Sequence, residues 1–374
     1  MNKLKKYLFI CLLIACLVPA LQKKFPFITS AGLKGWYKTA EIPTFSWAAW
    51  FSGEFQPNFE KGLESNIGLH AAFVRVNNQI NYSFFNFATA KNVFVGKEGY
   101  LFEEGYINAY LGVYRADSNA VKLKIEKAEF VHRELEKRGK HLLILLAPGK
   151  ASFYPEYIPF KYYPQKKKTS HYDLYSKYLK SSELNYIDYN GYFMKLKGKT
   201  PYPLYPKQGT HWSIYGATLA MDSLLKYIKY NFHYKIPQIK IKEIEQPDGW
   251  RDSDYDIGAG MNLMFPMKID KLAYPKIEYK YDTNYYLPSV IAVGDSYYWT
   301  FTGLGLNTNA FKEQQFWYYN KIGYGIGEFK VDRSKTANEI VKKDLIIIIQ
   351  TEAYYHDLGM GFIEAAYEQL KNKQ

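Results

Sequence analysis

Short apolar runs alternate with amphipathic segments from about residue 92 to the C-terminus. Uninterrupted apolar runs predict strands that are buried on both faces of a sheet, at 141–147, 290–293 and 345–349. A shorter strand is predicted at 185–188, and near-helical spacing predicts helices at 121–138, 174–184, 213–227 and 361–370. Strands that alternate with such helices are typical of an α/β fold with a mainly parallel sheet. Ligand sites in these folds lie beyond the carboxyl ends of the strands.

The N-terminus has the pattern of an export signal. A lysine-rich start precedes an uncharged, mostly apolar run over residues 7–22. Three fates are open: cleavage near residues 18–20, lipidation at Cys16, or retention as an anchor that ends at Lys23 and Lys24. The anchor is the favoured interpretation, and each fate places the rest of the chain outside the cytoplasm.

The chain is therefore predicted to have three parts. Residues 1–25 are a signal anchor or signal peptide. Residues 26–91 are a lead-in segment, rich in aromatic residues and Asn, with a helix predicted within 63–87. Residues 92–374 form the α/β domain.

Composition narrows the classes of function. The net charge is +13, of which five lysines belong to the signal, and there are 37 Tyr. A basic chain suits nucleic acid, an anionic membrane or an acidic polymer, and export argues against nucleic acid. Both cysteines, Cys11 and Cys16, lie in the signal, so the body has no thiol for a disulfide, a metal site or a nucleophile. Neither metal-ligand spacing nor a Gly-rich nucleotide motif is present, so we expect no metal and no cofactor.

Ser296 is the candidate nucleophile. It follows the predicted strand 290–293 in the sequence Gly-Asp-Ser-Tyr, where a tight turn can expose a hydroxyl at the sheet edge. Backbone N–H groups of that turn are candidate donors to an oxyanion. Asp295, inside the motif, is expected to hold the turn in place.

His211 is the candidate general base. It stands just before the predicted helix 213–227, where the helix dipole is expected to lower its pKa and keep it neutral. A serine needs a nearby base to become a nucleophile, so the serine and histidine motifs support each other.

These motifs and three further segments resemble, in the same order, the alginate O-acetyltransferase family of AlgJ and AlgX. The segments are 93–102, 148–150 with 154–159, 210–217, 294–297 and 351–353. The resemblance implies an SGNH-hydrolase-like three-layer sandwich over 92–374. It implies that Ser296 is acetylated, that His211 is the base, and that acetyl passes to a polysaccharide hydroxyl. A multi-spanning membrane-bound O-acyltransferase is the implied acetyl donor, at the periplasmic face of the inner membrane.

One position departs from the family pattern, which has Asp two residues before the histidine. Gly209 stands there in this chain. Glu352, which follows the last predicted strand, is the candidate for the missing orienting acid, with Asp188 as an alternative. The departure is equally compatible with a Ser–His dyad assisted by a backbone carbonyl, or with glycan binding without turnover. The acidic run at 252–256 is interpreted as a solvated loop.

Tyr297, Trp212 and Lys150 are the candidate substrate-binding residues, and Trp299 is a further side chain that could stack on a sugar. The leading hypothesis is an O-acetyltransferase that acts on an extracytoplasmic polysaccharide. A carbohydrate acetyl esterase shares the acyl-serine and differs only in the acceptor. A non-catalytic glycan-binding protein is the alternative from another class.

Overall fold

The computed structural model describes residues 3–29, 31–35, 39–163 and 165–372. The chain divides into two compact units, Met1–Lys91 with Ile257–Lys268 and Asn92–Asp256 with Ile269–Gln374. The three-part division made from the sequence remains a prediction.

The first unit is helical. Its helices are α1 (Lys3–Lys24), α2 (Trp47–Phe51), α3 (Phe55–Asn66) and α4 (His70–Phe85). By length and composition, α1 is able to cross a membrane. The helix predicted within 63–87 is interrupted between α3 and α4, because the chain turns there and Leu69 takes a left-handed φ of 64°.

The second unit is built on a mixed sheet of seven strands in the order β10-β9-β8-β7-β11-β3-β4. The strands of this unit are β1 (Val93–Val95), β2 (Leu101–Glu103), β3 (His141–Ala147), β4 (Asn185–Asp188), β5 (Gln238–Glu245), β6 (Tyr274–Lys280), β7 (Ser289–Gly294), β8 (Lys312–Tyr318), β9 (Ile322–Tyr324), β10 (Glu328–Lys330) and β11 (Leu345–Thr351). The four strands predicted from the sequence, β3, β4, β7 and β11, are parallel neighbours, and β8 is parallel to β7. An antiparallel β9–β10 hairpin extends the sheet at one edge, while β1–β2 and β5–β6 form separate antiparallel ribbons.

Helices cover both faces of this sheet. They are α5 (Glu104–Leu111), α6 (Ser118–Glu136), α7 (Lys150–Phe153), α8 (His171–Leu179), α9 (Tyr189–Leu196), α10 (Ile214–Asn231), α11 (Asp256–Gly260), α12 (Tyr298–Gly303), α13 (Leu306–Asn309), α14 (Thr336–Ile340) and α15 (Phe362–Lys371). Alternate residues of β3 belong to two different core clusters, because successive side chains of a strand point to opposite faces. One cluster includes residues of α9, α10 and α12, and the other includes residues of α6, α8 and α15. The result is the α/β arrangement of three layers that the sequence predicted.

Strand β8 and the hairpin after it escaped the sequence analysis. The first residues of β8 are Lys-Glu-Gln-Gln, and its burial runs from exposed at this end to buried at Phe316 and Trp317. Strands at the edge of a sheet lack the continuous apolar run of the central strands, which was the pattern used for prediction.

Candidate active site

The Ser296 turn leaves the carboxyl end of β7 under tight steric constraint. A Cβ at Gly294 would collide with the carbonyl oxygen of Ile349 in β11, so only glycine fits there. The buried carboxylate of Asp295 accepts hydrogen bonds from the N–H of Tyr297 (3.1 Å) and of Thr351 (2.7 Å). Asp295 therefore holds the turn against the end of β11, as the sequence predicted.

His211 is held at the start of α10 by its two neighbours in sequence. Ser213 caps α10, because its hydroxyl accepts from the N–H of Gly216 at 3.0 Å. The Trp212 indole N–H donates to the hydroxyl of Thr300 in α12 at 2.6 Å. These contacts fix the histidine loop to the helix that follows Ser296.

The structure brings Ser296, His211 and Asp256 into one hydrogen-bonded chain. The Ser296 Oγ lies 2.8 Å from Nε2 of His211, and Nδ1 of the same ring lies 2.7 Å from Oδ2 of Asp256. An ionised carboxylate only accepts, so Nδ1 carries the proton and Nε2 accepts from the serine hydroxyl. This is the arrangement in which a histidine acts as a base toward a serine.

Asp256 is the residue that the sequence analysis missed. Its second oxygen, Oδ1, accepts from the N–H of Thr210 at 2.8 Å, so the carboxylate holds the histidine loop at two points. Asp256 begins α11, at the end of the acidic run that was interpreted as a solvated loop. No local motif distinguishes it from Asp252 or Asp254, and only tertiary packing selects it.

The same loop explains why Gly209 replaces the family's aspartate. A Cβ at Gly209 would lie 2.7 Å from the carbonyl oxygen of Ser253 and 3.0 Å from the carbonyl carbon of Asp254. The backbone that carries Asp256 thus occupies the space into which a side chain at position 209 would project.

The predicted orienting role of Glu352 is wrong. Its carboxylate accepts from the N–H of Gly149 at 3.1 Å and from the side chains of Ser152 and Asn190. Asp188, the alternative, caps α9 and accepts from the Tyr172 hydroxyl at 3.0 Å. Both carboxylates are engaged with other groups, while His211 has Asp256.

The predicted substrate contacts of Tyr297, Trp212 and Lys150 are also wrong, because all three are buried. The Tyr297 hydroxyl donates to the carbonyl of Thr210 at 2.9 Å. The Lys150 ammonium donates to the carbonyl oxygens of Leu101 (2.8 Å), Lys207 (2.6 Å) and Gly209 (2.9 Å). These side chains support the histidine loop from below.

The charge balance at His211 is set by two opposing effects. Burial disfavours the imidazolium, but the hydrogen bond and the negative charge of Asp256 outweigh it, so the pKa of His211 is raised above its ordinary value. The sequence analysis expected a lowered pKa from the helix dipole. The carboxylate contact is closer and stronger than that dipole effect.

Two depressions flank the histidine loop. Ser296, His211 and Asp256 line a pocket of about 440 Å³ whose other walls are largely apolar, formed by Ile214, Trp299, Thr300, Gly303 and Leu304. A second groove of about 750 Å³ is more polar and aromatic, and is lined by Glu103, Tyr106, Tyr114, Arg115, His171 and Tyr354, among others. Glu103 accepts from the Thr210 hydroxyl at 2.8 Å, so this groove reaches the residue next to His211.

Among the described residues, the structure contains no group of three or more His, Cys, Asp or Glu side chains placed to hold a metal ion. The imidazole and the carboxylate at this site are instead engaged with each other and with the serine hydroxyl.

Comparison with known proteins agrees with the resemblance. The family model for the AlgX SGNH hydrolase-like acetyltransferase domain matches residues 93–249. Probable alginate O-acetylase AlgJ of Pseudomonas aeruginosa is 27% identical over 198 residues, which are 52% of this chain and 48% of that protein. The chain thus matches about half the length of this relative.

Solved structures with similar chains include the O-acetyltransferase domain of Pseudomonas putida AlgJ, with a TM-score of 0.46 and 17% identity over 76% of this chain and 99% of that one. Pseudomonas aeruginosa AlgX follows at a TM-score of 0.47 and 12% identity, over 73% of this chain and 67% of that one. Bacillus cereus PatB1 has a TM-score of 0.44 and 8% identity, over 70% and 96% of the two chains. The sequence motifs and the family match together show that residues 93–249 of this chain belong to the AlgJ/AlgX-like family of SGNH-hydrolase-like domains.

Proposed function

We propose that this protein is an O-acetyltransferase that moves acetyl through an acyl-serine at Ser296 to hydroxyl groups of a polysaccharide. The observation that carries the proposal is the hydrogen-bonded chain Ser296–His211–Asp256 at the wall of a pocket. The family membership of residues 93–249 supports acetyl as the transferred group.

The first half-reaction acylates the serine. His211 takes the Ser296 proton on Nε2 while Oγ attacks the carbonyl carbon of the donor ester. Asp256 stabilises the imidazolium that forms, since its carboxylate already accepts from Nδ1 at 2.7 Å. Collapse of the tetrahedral intermediate breaks the bond to the donor oxygen, which leaves with the proton from His211.

The second half-reaction reverses these roles. A hydroxyl of the acceptor gives its proton to His211 and attacks the acetyl carbonyl, and Ser296 leaves and regains its proton. The N–H of Ser296 is the proposed donor to the oxyanion in both steps, because it donates to no backbone carbonyl among the described residues.

The two depressions suit the two substrates. The largely apolar pocket beside Ser296, with Trp299 and Leu304 in its wall, suits the acyl donor. The polar groove beside Glu103 suits the glycan, because tyrosine rings such as Tyr114 and Tyr354 stack on sugar rings and Arg115 attracts a negative charge. A transferase needs both substrates to reach one serine, in turn.

A carboxylate beside His211 favours catalysis over glycan binding alone, because binding would not require a serine held 2.8 Å from an oriented imidazole. Hydrolysis to acetate uses the same acyl-serine with water as the acceptor. An esterase therefore differs from the proposed enzyme in what occupies the polar groove.

The setting of the reaction is proposed from the N-terminus and from the family. α1 would anchor the enzyme at the periplasmic face of the inner membrane. A membrane-bound O-acyltransferase that carries acetyl across the membrane would be the donor, as the resemblance implies.

The proposal is tested by following p-nitrophenyl acetate with and without a polysaccharide oligomer. A transferase yields acetylated oligomer at the expense of free acetate, and an esterase yields acetate only. Ser296→Ala should lose both products, while Ser181→Ala, an exposed serine in a surface turn, should keep them. Full activity of Ser296→Ala would refute the proposal.

A further inference from the structure

The first unit exposes far more apolar surface than a water-soluble helical unit does. Phe73, Val76, Ile80 and Phe84 are all exposed along α4, at spacings of three and four residues. Residues with these spacings share one face of a helix. Helix α4 therefore presents an apolar stripe that the described part of the chain leaves uncovered.

A second exposed cluster surrounds α2. Trp47 stacks on Phe51 with 5.9 Å between the ring centroids, and Phe45 packs edge-on against Trp47 at 5.1 Å. Phe51 remains 80% exposed in spite of these contacts. The rings thus contact one another and still face outward, and contiguous apolar patches of this kind mark a surface that is covered by a partner.

The end of α1 is attached to this same unit. The Gln22 side chain accepts from the N–H groups of Phe27 and Ile28 and donates to the carbonyl of Ile28 at 2.7 Å. Gly68, in the turn between α3 and α4, has no room for a Cβ beside the backbone of Pro19 and Lys23. The C-terminal end of α1 is therefore packed on the turn from which α4 starts.

We propose that helices α2 and α4 lie in the headgroup layer of the membrane that α1 enters, with the exposed rings inserted among the lipids. If α1 spans the bilayer, its lysine-rich C-terminal end lies at the surface, and the α3–α4 turn lies there with it. Tryptophan and other amphipathic rings concentrate at this depth, and an interfacial helix buries its apolar face by about 5–10 Å. Lipid covers the stripe without any further chain.

This arrangement gives the lead-in segment a role apart from catalysis, and it does not depend on the proposed acetyl transfer. A single α1 helix would leave the segment after it free to move in solution. Interfacial helices α2 and α4 instead fix that segment on the membrane plane.

The chain is suited to a site-directed test, because its only cysteines are Cys11 and Cys16 in α1. In the full-length chain with both changed to serine, one cysteine at a time is introduced by Phe51→Cys or Phe84→Cys. Phe160→Cys in the second unit is the matched control, because Phe84 and Phe160 are both 78% exposed. Each variant is spin-labelled and inserted into phosphatidylcholine–phosphatidylglycerol vesicles, with labelled Cys11 reporting insertion of α1.

We expect the labels at 51 and 84 to collide with oxygen more often than the control label does. Their collisions with a water-soluble nickel chelate should be at least about threefold fewer, as for a site below the headgroups. If Cys11 reports insertion while 51 and 84 are as open to nickel as 160, the proposal is wrong. Shielding of 51 and 84 from both reagents would overturn it as well, since that result indicates a protein partner.

Discussion

Asp256 and Glu352 are two carboxylates of the same unit with opposite surroundings. The Asp256 side chain is 31% exposed, and its oxygens accept from His211 and from the Thr210 N–H. Glu352 is 5% exposed, and its oxygens accept from Gly149, Ser152 and Asn190. One carboxylate faces the reacting groups, and the other fastens the start of α7 to α9.

The difference teaches that position after a strand does not assign a role to an acid. Glu352 directly follows β11, the place where α/β folds often carry functional residues. Burial, however, raises the pKa of Glu352 to about 7, against the lowering effect of its hydrogen bonds. A group that is half-protonated near neutrality stabilises an imidazolium poorly, whereas Asp256 is in direct contact with one that forms.

The largest expected effect is on the orienting acid. Asp256→Asn should lower the turnover number on the order of 10²–10⁴-fold, because the amide no longer holds the reactive imidazole tautomer or stabilises its cation. The thermal midpoint should change little, since the loop is partly exposed. Steady-state rates and a melting curve measure the two effects.

Asp252→Asn is the matched control, because Asp252 lies in the same loop and lines the same pocket without contacting His211. It should stay within about threefold of the parent. A larger loss in Glu352→Gln than in Asp256→Asn would reverse the comparison.

The next effect concerns the position of the acid. Gly209→Asp should not rescue Asp256→Asn, because the new Cβ meets the Ser253 carbonyl. It should destabilise the fold by about 1–3 kcal/mol, as overpacking does. Denaturant unfolding together with the activity of the double variant checks this, and recovered activity would show that position 209 is equivalent to 256.

Glu352→Gln should affect stability more than activity. The folded-state pKa of Glu352, about 7, lies above its ordinary value, so the parent loses stability as the pH rises toward 7. The loss amounts to at most about 3 kcal/mol. Unfolding measured from pH 4.5 to 8 should show a smaller decline for the variant, with both curves flat above 7. Parallel curves would mean that the carboxyl is ionised in the fold.

The smallest effect is a shift in the pH–rate profile. The ascending limb of kcat/KM reports deprotonation of His211, whose pKa Asp256 raises. Residual activity of Asp256→Asn should therefore have its ascending limb about one pH unit lower. An unshifted limb would mean that another group controls it.

Sequence predicted what is local and missed what is set by packing. Ser296 and His211 were found because each sits in a short motif beside a predicted strand or helix. Asp256 comes from a loop 45 positions away from His211, and its contact depends on how that loop lies over Gly209. Trp212 and Tyr297 match the family motif, but their rings fill the core beneath the site.

The central strands were equally predictable, because burial on both faces leaves a continuous apolar run. Strands β5, β6 and β8–β10 were not, since one-sided burial and polar residues remove that run. The exposed aromatic residues of the first unit could be counted from the sequence, but their exposure could not.

The central claim is that Ser296 carries the acyl group, and the most direct measurement is to trap it. The full-length protein is incubated briefly with p-nitrophenyl acetate, quenched in acid and digested, and the peptide that contains Ser296 is examined by mass spectrometry. The mass of one acetyl group should appear on Ser296, at the parent level in Ser181→Ala and strongly reduced in His211→Ala and Asp256→Asn. Turnover of the ester with acetyl on another residue, or with none trapped on Ser296, would contradict the account.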